Sequence, residues 1–312
     1  MVPMTGKIVL ATTFPDRLRQ RLGSYEVIGP SEAPPSGDAV AVLVTIGTLR
    51  TDAATMDRLP GLRLICCYGT GYEGVDIAAA RERGIMVTHG HAANASAVAD
   101  LAMGLLLAAN RRLVTADQFV RDGSWTKRLL GRMTLRPGLT GRRAGIFGFG
   151  AIGSRIAARA AAFEMHVAYH SRSRKDVPYA YHDTLQSLAE WADFLMVAAR
   201  ADSSNWHAVS REVLHALGPD GIVVNISRGS IIDETAMIEL LKSGELGSAG
   251  LDVFEHEPSV PEELTGVPHV VLTPHIGGAT DDAHIAMQDQ VAANISAFFA
   301  GETLVSPIAE MR

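Results

Sequence analysis

Apolar residues in the first hundred positions come in short runs of strand length. Lys7–Ala11, Ala39–Thr45 and Arg63–Cys67 are three such runs, and Ile85–Thr88 follows the break at Gly84. Segments rich in Pro, Gly and Ser, such as Gly29–Gly37, interrupt them, and amphipathic stretches such as Thr51–Leu59 lie between. Strand, break and helix repeated in this way predict a small α/β unit. Ala95–Asn110 is apolar over helix length, whereas Arg111–Gly141 reads as polar and irregular, punctuated by Gly123, Gly131, Pro137, Gly138 and Gly141. A second series then opens, with strands predicted at Arg143–Phe147, Met165–Tyr169, Phe194–Ala198, Gly221–Ile226, Ser248–Asp252 and Val270–Thr273. Strands alternating with helices predict a parallel, doubly wound sheet. Asp281–Ala300 reads as one long helix with Ile285, Met287, Val291, Ile295 and Phe298 on its apolar face.

Composition narrows the class. With 312 residues, 47% hydrophobic and 20% charged, the chain has enough apolar material for about two cored domains and is neither disordered nor collagen-like. A net charge of -6 argues against a general nucleic-acid surface, so any basic site must be local. The charge-free run Leu101–Asn110 is too short to span a bilayer, which takes about 20 residues, and the first residues hold too short an apolar run for a signal peptide. Cys66 and Cys67 are adjacent and cannot build a disulfide framework, so a reducing, cytoplasmic home is expected. Glycine is in surplus, 30 of 312 residues, against a usual value of about 7%.

Part of that surplus has a chemical address. Residues 144–153 read A-G-I-F-G-F-G-A-I-G, so Gly148, Gly150 and Gly153 fit G-x-G-x-x-G at the junction of a strand and a helix. There the three glycines serve the tight turn, the approach of backbone to a pyrophosphate, and close helix–strand packing. A carboxylate about 20 residues further on would bind the ribose 2′-hydroxyl of NAD. Here the second strand runs out into Ser171-Arg172-Ser173-Arg174-Lys175, and an uncharged residue followed by cations suits the 2′-phosphate of NADP. NADP is therefore expected, with NAD possible in its place. The candidate cofactor contacts are Gly148, Phe149, Gly150, Ala151, Ile152, Gly153, Ser171, Arg172, Ser173 and Arg174, together with Ser227 and Asp252.

Three polar residues follow apolar strands in the second half: Arg228 in N-I-S-R-G-S, Glu257 in D-V-F-E-H-E-P and His275 in T-P-H-I-G-G. Reducing a ketone by hydride leaves an alkoxide that needs a proton, and a His titrating near neutrality can supply it. A carboxylate beside the His would fix its tautomer and raise its pKa, and an Arg can clamp a substrate carboxylate and polarise the ketone oxygen.

Through these residues the chain resembles the D-2-hydroxyacid dehydrogenase family, and within it the NADP-preferring glyoxylate/hydroxypyruvate and hydroxyphenylpyruvate reductases. The likeness rests on four ordered motifs: Gly138–Gly150, Asn225–Gly229, Leu251–Pro258 and Thr273–Gly278. It implies that Arg228, Glu257 and His275 form the catalytic set, with Glu255 as the second choice of carboxylate. It implies two Rossmann-like domains: a cofactor domain of residues 100–282 inserted into a smaller flavodoxin-like substrate domain of residues 1–99 and 283–312, with a cleft that closes on substrate. It places Thr70 and Gly71 of the Tyr68–Tyr72 loop on the substrate carboxylate, and Asn94 either on the substrate or holding that loop. Arg228 and His275 complete the substrate contacts. It also implies a homodimer formed through an arm in Arg111–Gly141, where Trp125 is expected to be a packing anchor. The expected partner is otherwise a small 2-oxo or 2-hydroxy acid, with no nucleic acid, membrane or metal; the His89-x-His91 pair lacks further ligands at metal spacing.

Two positions depart from the family pattern. Arg200 stands where a small or apolar residue is common and faces either cofactor phosphates or solvent, and His284 stands where Arg is frequent. Two other readings are weaker. A cofactor-sensing binding protein like the family's corepressors is disfavoured by the acidic chain and the lack of an evident partner-binding tail, although the three catalytic candidates do not discriminate. A 3-phosphoglycerate dehydrogenase is disfavoured because the chain stops at Arg312 with no regulatory extension.

Overall fold

The computed structural model describes residues 6–30, 39–126 and 136–311. The Gly29–Gly37 break and the Arg111–Gly141 stretch, including Gly131, lie partly outside these residues. The chain divides into two compact units, residues 1–94 with 278–312 and residues 95–277. Both divisions fall a few residues ahead of the expected 99/100 and 282/283; at the first, the helix Ala95–Arg111 packs into the core of the second unit.

In the first unit β1 (Lys7–Leu10), β2 (Val27–Ile28), β3 (Val40–Ile46), β4 (Leu64–Tyr68) and β5 (Met86–His89) form one parallel sheet of order β2-β1-β3-β4-β5. Side chains alternate between its faces. Leu43, Ile65 and Cys67 pack with Met56, Ala79 and Ala80 of the helices Ala53–Asp57 and Ile77–Glu82. Val42, Val44, Leu64 and Cys66 pack with Leu18 and with Val291, Ile295 and Phe299 of the terminal helix Asp281–Ala300. On that helix Phe299 is buried, and the expected Phe298 is partly buried against the same cluster.

In the second unit β6 (Arg143–Phe147), β7 (His166–His170), β8 (Ala180–Tyr181), β9 (Phe194–Val197), β10 (Ile222–Asn225), β11 (Ser248–Leu251) and β12 (Val271–Leu272) form a parallel sheet of order β12-β11-β10-β9-β6-β7-β8. Helices cover both faces, so strands such as Ile222–Asn225 are buried throughout. Ile146, Met196 and Val224 pack towards the helices Ala95–Arg111 and Ala151–Ala162, and Leu195, Val197 and Val223 towards Leu185–Trp191, Arg211–Leu217 and Glu234–Ser243. Strand order reverses between β6 and β9, and a doubly wound sheet binds its ligands at the carboxyl ends of the strands beside such a switch point.

Two readings are corrected. The second sheet has a seventh strand, β8. Leu113–Arg121, taken as irregular, is an α-helix with no buried residue. Trp125, expected as an anchor in the dimer arm, is 62% exposed in the single chain.

Candidate active site

The glycine turn sits at the carboxyl end of β6. Gly148 has φ +94, and a Cβ there would overlap the backbone of Ala199. A Cβ on Gly153 would overlap the carbonyl oxygen of Gly148. These two glycines are required by packing. Gly150 differs: it begins the helix Ala151–Ala162 with no side chain capping it, and a Cβ there would meet nothing within 4 Å. Open space in front of an uncapped helix N-terminus fits a pyrophosphate, which the first-turn amides of Ala151, Ile152 and Gly153 would face. Phe149 is buried against Tyr169, with ring centroids 4.3 Å apart.

Ser171, Arg172, Ser173 and Arg174 follow β7. Tyr181 of β8 donates to the Ser171 carbonyl at 3.1 Å, the Ser171 hydroxyl donates to the Ser173 carbonyl at 2.8 Å, and the Lys175 amide donates to the Tyr169 hydroxyl at 2.7 Å. The loop is thus tied down while Arg172, Arg174 and Lys175 are exposed. Cations held at the end of the second strand of a nucleotide fold fit a 2′-phosphate. Arg200 is exposed, and its charge, with that of Arg172, helps hold the Asp202 carboxyl below the usual carboxylate range; the larger cause is hydrogen bonding from Ser204.

The structure brings His275 and Glu257 together. His275 Nδ1 lies 2.7 Å from Glu257 Oε2, and the other oxygen, Oε1, accepts the Phe254 amide at 3.1 Å. Burial works against ionisation of Glu257, but the hydrogen bonds from His275 and Phe254 and the charges of His275 and Arg228 outweigh it and hold the carboxyl below its usual range. Glu255 faces elsewhere: His207 Nε2 lies 3.2 Å from its Oε1, and its amide donates to the buried carboxylate of Glu234 at 3.2 Å. Burial pushes the Glu234 carboxyl up.

Two residues set this geometry in ways the motifs alone do not show. His275 has φ +52, a left-handed conformation costly for a residue with a Cβ. It is held by Asp252, the buried residue after β11. Asp252 accepts the Thr273 hydroxyl at 2.6 Å and the amides of Ile276 and Gly277 at 2.8 Å each, while its own carbonyl accepts the His275 amide at 2.9 Å. Asp252 therefore supports the His275 loop, whatever contact it makes with a cofactor. Asn225, buried at the end of β10, plays the same part for Arg228: its Nδ2 donates to the Arg228 carbonyl at 2.9 Å and its Oδ1 accepts the Ser227 amide at 3.0 Å. The Ser227 hydroxyl donates to the Ala199 carbonyl, and Arg228 Nη1 donates to the Ser227 carbonyl at 2.7 Å.

In the first unit, Thr70 and Asn94 meet. The Thr70 hydroxyl lies 2.8 Å from Asn94 Oδ1 and 3.2 Å from the Gly90 carbonyl, and His89 Nδ1 lies 2.8 Å from the Thr70 carbonyl. A Cβ on Gly47 would overlap the Gly71 backbone, so Gly71 lies against another loop. His284 Nδ1 lies 2.9 Å from the Tyr68 hydroxyl. Burial pushes the Cys66 thiol up to about 12 and Cys67 higher, so neither supplies a thiolate. Among the described residues, no group of three or more His, Cys, Asp or Glu side chains is placed to hold a metal ion, and no helix is long and apolar enough to cross a membrane.

Known proteins are similar to this chain in sequence and fold. The family description "D-isomer specific 2-hydroxyacid dehydrogenase, NAD binding domain" matches residues 103–277. A glyoxylate/hydroxypyruvate reductase of Arabidopsis thaliana is 40% identical over 280 residues, covering 89% of this chain and 86% of its own. A hydroxyphenylpyruvate reductase of Plectranthus scutellarioides is 39% identical over 272 residues, covering 87% of this chain and 86% of its own. The crystal structure of an NADPH-dependent glyoxylate/hydroxypyruvate reductase from Sinorhizobium meliloti, in complex with NADP and malonate, superposes with a TM-score of 0.90 at 37% identity, covering 99% of this chain and 98% of that one.

Proposed function

The chain belongs to the D-isomer-specific 2-hydroxyacid dehydrogenase family, and we propose that it is an NADPH-preferring reductase of a small, glyoxylate- or hydroxypyruvate-like 2-oxo acid, giving the D-2-hydroxy acid. The observation that carries this reading is the His275–Glu257 pair, 2.7 Å apart, in the same unit as a glycine turn suited to a dinucleotide. Bound NADPH supplies the hydride.

The protein's own groups do the rest. With Nδ1 engaged by Glu257, His275 has Nε2 left to give a proton to the carbonyl oxygen of the substrate as negative charge develops there. Glu257, ionised at neutral pH, fixes the ring and stabilises its protonated form. Arg228 offers a planar fork of donors to the substrate carboxylate and ketone oxygen. Thr70, Gly71 and Asn94 are assigned to substrate carboxylate binding, and residues 148–153 and 171–174 with Ser227 and Asp252 to the cofactor. The names of the relatives and the bound NADP of the Sinorhizobium enzyme support the reductase and NADP reading. Residues 1–99 and 283–312 are read as the substrate domain and 100–282 as the cofactor domain.

The exposed apolar side chains of Leu113, Val114, Val120 and Trp125 support a homodimer, and the two buried free thiols fit a cytoplasmic location. The test is NADPH oxidation with glyoxylate, hydroxypyruvate, phenylpyruvate and hydroxyphenylpyruvate. Turnover is expected with at least one, lost in His275→Ala while NADPH binding is kept. Failure with every 2-oxo acid, or clear NADH preference, would overturn the corresponding part of the proposal.

A further inference from the structure

The ribose end of the cofactor site holds a negative charge that the proposed function does not use. Asp202 stands in the loop after β9, its side chain 29% exposed, and Arg172 Nη1 reaches its Oδ2 at 3.6 Å. The acid is fixed and the base is loose. Asp202 donates its amide to Asn205 Oδ1 at 2.9 Å, Asn205 Nδ2 donates to the Arg200 carbonyl at 2.7 Å, and the amide and hydroxyl of Ser204 both donate to Asp202 Oδ1. That leaves Oδ2 towards Arg172, whose side chain is 83% exposed. Arg174 and Lys175 share the Arg172 loop, and Lys175 Nζ donates to Ser173 Oγ at 3.0 Å.

We propose that Asp202 is a specificity-determining residue for the cofactor: it holds the Arg172 guanidinium when no dinucleotide is bound, and the 2′-phosphate of NADPH binds by taking Arg172 from it. The inference rests on the NADPH reading above and goes beyond it. A phosphate monoester carries close to two charges and three acceptor oxygens, so it outcompetes a single carboxylate for a guanidinium. Asp202 cannot retreat, because Ser204 and Asn205 anchor it. It stays as a like charge beside the phosphate and lowers NADPH affinity. NADH carries a neutral 2′-hydroxyl there, neither competes for Arg172 nor meets this repulsion, and is little affected. Asp202 thus narrows the preference for NADPH that Arg172 creates.

The test is direct dinucleotide binding by isothermal titration calorimetry to the full-length protein without substrate, in wild type, Asp202→Asn, Arg172→Gln and the double variant. Asparagine keeps an acceptor for Ser204, and an unchanged melting temperature verifies the fold. Asp202→Asn is expected to tighten NADPH roughly three- to tenfold, the size of an exposed ion pair plus screened repulsion at this range, and to change NADH less than about twofold. In the Arg172→Gln background the gain is expected to shrink. An unchanged or weaker NADPH affinity in Asp202→Asn, or an equal gain in both backgrounds, overturns the inference while wild-type NADPH binding stands. Wild-type protein that binds NADH and not NADPH instead overturns the cofactor assignment, and the inference with it.

Discussion

Replacing Glu257 by Gln removes a charge at the centre of the site and little else. The loop that carries His275 is held by Asp252 and Thr273, so the imidazole keeps its place and the effect isolates the carboxylate. A charge-assisted hydrogen bond such as the 2.7 Å contact between His275 Nδ1 and Glu257 contributes about 1.5–3 kcal/mol. The two side chains are 40% and 30% exposed, and solvent screening brings the value to the lower end, about 1.5–2 kcal/mol. At about 1.4 kcal/mol per tenfold in rate, kcat is expected to fall roughly 10- to 30-fold. Steady-state NADPH oxidation with the best 2-oxo acid measures it, and the KM for NADPH should stay put. Glu255→Gln is the comparator: its partner is His207, at 3.2 Å, and kcat should remain within about threefold of wild type. The pH dependence has a definite sign. The Glu257 carboxyl lies below its usual range, so the pair is intact at neutral pH and is lost only as pH falls through that lowered value. Wild type should therefore show an acid limb below the ordinary carboxylate range that is missing in Glu257→Gln. A Glu257→Gln enzyme within threefold of wild type, or a Glu255→Gln enzyme equally impaired, would refute the reasoning.

The glycine turn and one partly exposed ion pair give further expectations. Gly153→Ala places a methyl group against the Gly148 carbonyl and should lower the melting temperature sharply or prevent folding. Gly150→Ala, whose Cβ would meet nothing within 4 Å, should keep the melting temperature and weaken NADPH binding about tenfold or more in a fluorescence titration. Asp193 accepts the Arg143 amide at 2.9 Å and its guanidinium at 3.1 and 3.3 Å. Burial opposes its ionisation, but these bonds and the charges of Arg143 and Arg142 hold the carboxyl below its usual range. Its contribution is complete above the unfolded carboxylate range and disappears as pH falls through the lowered folded value. Asp193→Asn should cost about 1–2 kcal/mol in urea unfolding at pH 7, and the difference from wild type should close in acid.

Strands covered on both faces could be read from sequence because burial makes them continuous apolar runs; VAVLVTI of β3 is one. Two-residue edge strands such as Val27–Ile28 and Ala180–Tyr181 carry no period to read. The helix Leu113–Arg121 buries none of its residues, so it lacks the core-facing stripe by which helices are recognised. Arg228, Glu257 and His275 were legible as motif residues, but spacing alone could not decide between two carboxylates two positions apart. In the fold Glu255 faces His207 and Glu257 faces His275, which supports Glu257 as the partner of His275. The supports were harder to see. Asp252 looks in sequence like the end of a strand, and its role exists only because the chain returns more than twenty residues later to lay two amides on its carboxylate. Asp202 and Arg172 are further apart still, in loops after β9 and β7, and β6 runs between those strands in the sheet. A residue's charge is visible in sequence; which opposite charge it faces is fixed by the order of the strands. The cations after β7 were legible in the sequence as a phosphate signal, while the carboxylate that Arg172 faces emerges only when two loops meet.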